Sequence, residues 1–257
     1  MTIEYDGRGF NGWQAQENGV SVQQILEDAL KVFSGELQRV FGAGRTDAGV
    51  HALAQVAHFD LETDFEEYKI RDGLNSLVRP HLIAVISVQK VDEDFHSRFS
   101  ATGRSYIYRI INRRAPAILD KGLAWWVPVP LDSDAMHEAA QVLIGKHDFT
   151  TFRSVACQAK SPHKTLDRLV VEREGDHIRF HVSARSFLHN QVRIMVGTLR
   201  LVGEGKWDAG DIVSALKACD RSRGGETAPP QGLYLTGVEY DGKTRSNQPQ
   251  MKSFEIG

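Results

Sequence analysis

The sequence predicts an α+β fold in which two ferredoxin-like halves, each with the element order β-α-β-β-α-β, form one continuous antiparallel sheet with helices on one face. Strand and helix periodicities follow this order twice, although no sequence repeat accompanies it. The 257 residues are enough for two such units. We expect the halves to span residues 1–100 and 101–257, with the sheet face opposite the helices free to carry a ligand.

The first half begins with a strand at residues 2–5, where apolar and polar side chains alternate. Ser21 is suited to cap a helix, Gln24 completes a capping-box pattern, and Gly35 is suited to end that helix. The other predicted elements are strands at residues 37–41, 54–60 and 82–91, and a helix at 65–77.

The second half repeats this order with insertions. Asp132 or Ser133 is suited to begin a helix that Gly145 ends, and the link at 175–176 predicts a hairpin. Residues 113–129 carry no regular pattern and are expected to be irregular. The remaining elements are strands at residues 103–112, 166–173, 177–184 and 233–240, and helices at 187–202 and 208–218.

Composition is that of an ordinary globular protein, with 25% charged and 41% hydrophobic residues. No apolar run reaches the roughly 18 residues that span a bilayer, and the N-terminus does not resemble a secretory signal. It begins within a strand pattern, so we expect a few leading residues to be missing. Cys157 and Cys219 form neither a metal-binding pattern nor a disulfide framework. These features predict a cytoplasmic protein that does not associate with membranes.

The net charge of −2 argues against a protein that simply coats nucleic acid, because such domains are usually basic. The charges are unevenly distributed, however. Residues 95–119, 149–166 and 177–203 contain arginine, lysine and histidine but no acidic residue. For any single run a solvated basic face is the common explanation. If the three runs converge in space, they form a positively charged cleft.

Residues 41–51 contain one carboxylate, Asp47, on a glycine-rich loop between two predicted strands. Asp47 could be a nucleophile, a general base, a metal ligand or an Asx-type turn residue. Glycines 42, 44 and 49 suit backbone conformations with positive φ. A dinucleotide-binding loop is excluded, because the third glycine lies at 49 instead of 47 and a strand follows where a helix is required.

Two further residues have competing interpretations. Tyr106 alternates with arginines on a predicted strand, so it either packs in the sheet or forms a base-stacking platform beside phosphate contacts. Arg193 lies on the apolar side of a predicted helix, where it either snorkels to the rim or pairs with a carboxylate such as Asp47. The ten histidines are scattered, and we predict no metal site.

The block Gly44-Arg-Thr-Asp-Ala-Gly-Val-His51 is a highly specific motif. Further motif-like stretches lie at residues 5–7, 12–14, 95–102, 148–153, 191–193 and 232–235. In these stretches and their order, the whole chain resembles the tRNA pseudouridine synthase A family.

This resemblance implies the pseudouridine synthase fold, a homodimer, and isomerisation of uridine to pseudouridine at positions 38, 39 and 40 of the tRNA anticodon stem-loop. It implies no cofactor. Asp47 matches the catalytic aspartate, Arg193 the arginine that pairs with it, and Tyr106 the tyrosine that packs on the target base. Because a guanidinium is planar, we expect the Asp47–Arg193 pair to be a two-point contact. The expected RNA contacts are Arg45, the loop of Phe95, His96, Ser97, Arg98 and Phe99, and the segment of Ala156, Cys157, Gln158, Ala159 and Lys160.

Three points stay open at this stage. Asp47 could attack the sugar, attack the base, or remove a proton from C2′. The same cleft could belong to a non-catalytic RNA-binding module, or to a pseudouridine synthase that acts on another RNA.

Overall fold

The computed structural model describes residues 1–17 and 19–241, and the predicted end of the second half, residues 242–257, lies outside them. The strands are β1 (Thr2–Tyr5), β2 (Phe41–Gly42), β3 (His51–His58), β4 (Ile83–Ser87), β5 (Ala101–Asn112), β6 (Trp125–Val127), β7 (Gly145–Asp148), β8 (His163–Glu174), β9 (His177–Ala184) and β10 (Leu233–Tyr240). The helices are α1 (Val22–Ser34), α2 (Glu67–Leu77), α3 (Ser133–Ala140), α4 (Gln191–Gly203) and α5 (Ala209–Ala218).

These strands form one sheet in the order β4-β1-β3-β10-β5-β9-β8-β7, with β2 on β3 and β6 on β5. The predicted α+β fold with one continuous sheet is confirmed. The sheet is mostly antiparallel, but β10 runs parallel to β3, and β6 runs parallel to β5. We call the β3–β10 pairing the seam. It joins the two halves, because β10 also pairs antiparallel with β5.

Two hydrophobic clusters lie on either side of the seam. The first contains Ile3, Leu26 and Leu74 and is formed by β1, α1 and α2 with their neighbours. The second contains Phe180 of β9 and Met195 of α4. Along β9 buried and partly exposed residues alternate, as expected for a strand with one face on the core. Fully burying such side chains contributes about 1.5–3 kcal/mol each to folding.

Helix ends largely follow the predicted capping residues. The Ser21 hydroxyl accepts a hydrogen bond from the Gln24 backbone N–H at 3.2 Å, and Gly35 takes a left-handed conformation after α1. The capping box at α1 is incomplete, because the Gln24 side chain donates to Asp28 instead. Helix α5 has a complete box between Asp208 and Asp211.

Four predictions differ from the structure. Gly145, expected to end the helix that begins near Asp132, instead begins strand β7, and α3 already ends at Ala140. Residues 37–40 are not a strand, because the Val40 N–H donates to the Glu27 carboxylate and not to a neighbouring strand. The segment 113–129, expected to be irregular, contains β6, which pairs with the end of β5. Helix α4 begins at Gln191 and not at 187, because Asn190 has a φ of 62° and interrupts the helical backbone.

Candidate active site

The glycine-rich loop joins β2 to β3 and closes with a turn in which the Val50 N–H donates to the Asp47 carbonyl at 3.1 Å. Of the three loop glycines, only Gly49 has a positive φ, 78°. Gly42 is required for a different reason. A Cβ atom there would lie 2.4 Å from the Trp13 ring, so the glycine allows close packing. The prediction of positive φ is therefore correct for Gly49 and wrong for Gly42 and Gly44.

The residue before Asp47 is tied to the first strand and to Trp13. The Thr46 hydroxyl lies 2.8 Å from the Tyr5 hydroxyl, and both side chains are buried. The Thr46 carbonyl accepts a hydrogen bond from the Trp13 N–H at 3.0 Å. Burial raises the pKa of Tyr5 to about 12, so this hydroxyl is neutral at physiological pH. These bonds fix the backbone that carries Asp47.

The Asp47 carboxylate meets Arg193 across the two halves. Arg193 Nη1 donates to Asp47 Oδ2 at 3.1 Å, and the two side chains are 13% and 27% exposed. The predicted partnership is present, but the guanidinium reaches Asp47 through one nitrogen and not through a planar two-point contact. The Asx-turn interpretation does not describe this structure, because the carboxylate faces Arg193 instead of capping its own turn.

Arg193 is held by three partners. Nη1 also donates to Asn190 Oδ1 at 2.9 Å, and Nε donates to the Ala228 carbonyl at 2.7 Å. The Ala228 N–H returns a hydrogen bond to the Arg193 carbonyl at 3.1 Å. The left-handed Asn190 just before α4 places its side chain against the guanidinium. The position of Arg193 is therefore set by the helix start and by the segment that precedes β10.

Sequence reasoning missed His189. Its Nε2 lies 3.3 Å from Asp47 Oδ1, and its side chain is 42% exposed. His189 comes four residues before Arg193, a spacing that would bring the two together only within a helix. The chain is not helical there, and the approach to Asp47 depends on the turn at Asn190. No local pattern indicates it.

Tyr106 lies on β5 opposite Val182 of β9 and Leu235 of β10. Its ring meets Phe187 edge-on, with centroids 5.2 Å apart, and it packs against both hydrophobic clusters. Burial, together with the nearby Tyr5 and Asp47, raises the pKa of Tyr106. The phenol is therefore neutral and half-buried beside the Asp47 loop.

This placement corrects the expectation about the ligand-bearing face. Tyr106 shares its face of the sheet with the buried Val182, and Arg193 extends from α4, which packs on that face. Asp47, Tyr106 and Arg193 therefore lie on the helix-covered side, where the two clusters meet at the seam. They do not lie on the opposite face.

The predicted RNA loop, Phe95 to Phe99, divides into an anchored part and an exposed part. Ser97 is fully buried and its hydroxyl donates to the Phe41 carbonyl at 2.6 Å, so its side chain anchors the loop and is not available to RNA. Phe95 packs against Tyr240. Phe99 is 73% exposed, and His96 and the Arg98 guanidinium contact its ring.

The second predicted RNA segment lies next to His189. The Ser154 N–H donates to the His189 carbonyl at 2.9 Å, and the Cys157 N–H donates to the Ser154 carbonyl. Within the segment, Cys157 and Ala159 pack against the second hydrophobic cluster. The exposed members are Ala156, Gln158 and Lys160.

The two arginines that alternate with Tyr106 on β5 are bound within the protein. Arg104 is buried and donates to the carbonyls of Ala43, Arg98, Ala101 and Arg185 at 2.7–3.3 Å. Arg109 pairs with Asp120. Arg104 thereby holds the Asp47 loop, the Phe95–Phe99 loop and the end of β9 together.

Other cations stay available for an anionic ligand. Within the part of the chain that the structure describes, the cations that form no ion pair with a carboxylate include Arg45, Arg98, Lys160, Lys164 and Arg185. Arg98 and Arg185 are neighbours, because Arg104 binds both of their carbonyls. Lys164 reaches the adjacent Ser186 hydroxyl at 3.0 Å.

Across residues 1–17 and 19–241, no group of three or more histidine, cysteine or acidic side chains is arranged to hold a metal ion. No helix in these same ranges has the length and apolar character needed to cross a membrane.

The chain was compared with family models, curated proteins and solved structures. The family model described as tRNA pseudouridine synthase matches residues 1–100 and 139–241. A protein of Rhodopseudomonas palustris strain BisA53 named tRNA pseudouridine synthase A is 61% identical over 241 residues, which are 94% of this chain and 98% of that protein. A protein of Parvibaculum lavamentivorans with the same name is 57% identical over 241 residues, with the same coverage.

Among solved structures, a chain of a Cbf5-Nop10-Gar1 complex aligns with a TM-score of 0.35 and 10% identity. The alignment covers 92% of this chain and 57% of that one. The family match and the identity to the curated relatives extend over nearly all of the described chain. The chain therefore belongs to the tRNA pseudouridine synthase family, whose members are isomerases.

Proposed function

We propose that this protein converts uridine to pseudouridine at positions 38, 39 and 40 of the tRNA anticodon stem-loop, with Asp47 as the catalytic residue. The observation that carries the proposal is the 3.1 Å contact between Asp47 and Arg193 beside the half-buried Tyr106. The three residues come from distant parts of a chain that belongs to this family.

The reaction requires the N1–C1′ glycosidic bond to break and a C5–C1′ bond to form. In balance, the proton on C5 is lost and N1 gains one. Arg193 balances the charge of Asp47 and limits its rotation, which leaves an aimed carboxylate for the sugar or the base. Removal of the C2′ proton by the same carboxylate is the other available first step.

Tyr106 is suited to receive the target base. A base in a stem-loop must leave its stack before a side chain can reach the sugar, which costs a few kcal/mol. Stacking on an aromatic ring returns about 1–3 kcal/mol per base. Tyr106 is held by Phe187 at the edge of its ring, and it lies beside the loop that carries Asp47.

Binding of tRNA rests on the unpaired cations and the exposed ring of Phe99. Arg45 lies two residues from Asp47, and Arg98, Lys160, Lys164 and Arg185 are free to meet phosphates. We propose that residues 1–100 supply Asp47, and that residues 101–257 supply Tyr106 and Arg193. On the family resemblance, the protein acts as a homodimer in the cytoplasm.

Release of tritium from tRNA that carries 5-³H-uridine tests the proposal, and mapping of the product places the modified positions. Wild-type protein is expected to release tritium and to modify positions 38–40. Asp47→Asn, an almost isosteric change, is expected to release none while its thermal unfolding matches wild type. Full activity in Asp47→Asn contradicts the catalytic assignment. Wild-type protein that binds tRNA but forms no pseudouridine would indicate a non-catalytic RNA-binding module.

A further inference from the structure

The two oxygens of the Asp47 carboxylate have different partners. Oδ2 accepts a hydrogen bond from Arg193 Nη1 at 3.1 Å. Oδ1 is approached by His189 Nε2 at 3.3 Å. Both partners come from the same short stretch around the start of α4, so a single turn of the chain supplies the contacts to both carboxylate oxygens.

Of the two partners, the Arg193 side chain is held by more contacts than the His189 side chain. Arg193 is 13% exposed and also bonds Asn190 Oδ1 and the Ala228 carbonyl, so its guanidinium is held at both Nε and Nη1. The His189 side chain is 42% exposed, and its ring makes no second polar contact within the described ranges. The contact at Oδ2 is therefore fixed, and the contact at Oδ1 is replaceable.

The backbone of His189 is nevertheless anchored. Its carbonyl accepts a hydrogen bond from the Ser154 N–H at 2.9 Å, and Leu188 before it is buried. The Leu188 N–H is bound by Gln191 Oε1 at 2.8 Å. Only the imidazole is free to turn, and exposed side chains change rotamer on the picosecond to nanosecond timescale.

We propose that His189 is a positioning residue that holds Asp47 Oδ1 before substrate enters, and that Oδ1 is the oxygen directed at the uridine. The inference rests on the proposed function of Asp47. Oδ2 stays bound to Arg193, whose side chain is 13% exposed, so the lone pairs of Oδ2 are partly used. Oδ1 faces His189, the more exposed of the two partners, and rotation of His189 uncovers it without breaking any bond of the Arg193 network.

The structure suggests a matched pair of variants. His189→Gln keeps an N–H donor on a side chain of similar length, whereas His189→Leu keeps the bulk and removes the donor. At saturating tRNA we expect His189→Leu to lower the single-turnover rate about 5- to 30-fold, because the carboxylate is no longer held in its starting orientation. We expect His189→Gln to stay within about threefold of wild type, and tRNA affinity to stay within about twofold in both.

His181→Leu is the control. It also breaks a histidine–carboxylate contact, between His181 Nε2 and Glu172, but on β9 at the opposite face of the sheet from Tyr106. Its single-turnover rate is expected to match wild type.

Three results would overturn the inference: a wild-type rate in His189→Leu, an equal loss in both His189 variants, or a loss explained by weaker tRNA binding. A wild-type rate in His189→Leu would mean that His189 does not position Asp47. An equal loss in both variants would mean that the N–H donor is not what matters. A loss explained by weaker tRNA binding would mean that His189 contacts the RNA. Failure of the proposed function is a separate result, because wild-type protein would then form no pseudouridine at positions 38–40.

Discussion

Asp47 and Arg193 are 146 positions apart in the chain, and their side chains meet at 3.1 Å where the two halves of the sheet join. One belongs to the loop between β2 and β3, and the other to the first turn of α4. Neither half contains a complete site. Any change that shifts one half against the other is therefore expected to act on the Asp47–Arg193 distance.

Arg193→Lys is expected to reduce the single-turnover rate by about 100-fold or more. Arg193 bonds the Ala228 carbonyl through Nε, and it bonds Asp47 and Asn190 through Nη1. A lysine has only one nitrogen, so it cannot reach all three partners from two positions as the guanidinium does. A 100-fold loss corresponds to about 2.7 kcal/mol of transition-state stabilisation. A rate equal to wild type at saturating tRNA would show that Arg193 does not orient Asp47.

Asn190 offers a matched pair of substitutions, because its backbone is left-handed and its side chain binds Arg193. Asn190→Gly keeps the backbone conformation and removes the amide, whereas Asn190→Ala removes the amide and strains the backbone. Both are expected to lower activity. Urea unfolding should show Asn190→Ala to be about 1 kcal/mol less stable than Asn190→Gly. Equal stability of the two variants would mean that the backbone at position 190 accommodates alanine without strain.

Stability is expected to fall as the pH drops from about 7.5 to 5.5. Burial lowers the pKa of both His51 and His58 in the folded protein, with the neighbouring His96 adding to the effect at His58. The unfolded chain then binds more protons, so the free energy of unfolding decreases as the pH falls below about 6.5, the ordinary histidine value. The loss is at most about 1.4 kcal/mol per pH unit for each histidine.

Urea unfolding at several pH values measures this dependence. His51→Gln is the comparison variant, because it removes one of the two groups and should make the curve less steep between pH 7.5 and 5.5. The same slope in His51→Gln and wild type would show that His51 does not contribute to it.

Two arginines close in sequence are expected to behave differently. Arg98 is exposed and unpaired, so Arg98→Ala should weaken tRNA binding and reduce the slope of log affinity against log salt by about 1. Arg104 is buried on four carbonyls, so Arg104→Met should lower the free energy of unfolding by several kcal/mol. A salt slope unchanged in Arg98→Ala would indicate a structural role for Arg98 as well.

The sequence was sufficient for features that depend on local pattern. Ser21 caps the start of α1 and Gly35 follows its end, as their residue types suggest. The hairpin of β8 and β9 turns at Gly175. Arg193 on the apolar side of a helix was predicted either to snorkel to the rim or to pair with a carboxylate such as Asp47, because an unpaired buried charge is costly. The structure has the second arrangement, with Asp47 as the partner.

Features that depend on distant neighbours could not be predicted. Arg104 and Ser97 have the residue types of surface contacts, yet tertiary packing buries both. His189 reaches Asp47 through a left-handed residue whose conformation no residue type requires. The parallel pairing of β10 with β3 joins segments far apart in the chain, and hydrophobic periodicity contains no information about such partners.

The seam has a consequence for synthesis of the protein. Strand β3 ends at His58, and its neighbour β10 begins at Leu233. A ribosome that adds about 5–20 residues per second needs roughly 9–35 s to make the chain between them. During this time the edges of β3 and β5 that will receive β10 are unpaired, and such edges can bind other nascent strands. The β3–β10 pairing completes the junction between the halves that carry Asp47 and Arg193, so a ribosome-bound chain that stops before β10 is expected to be inactive.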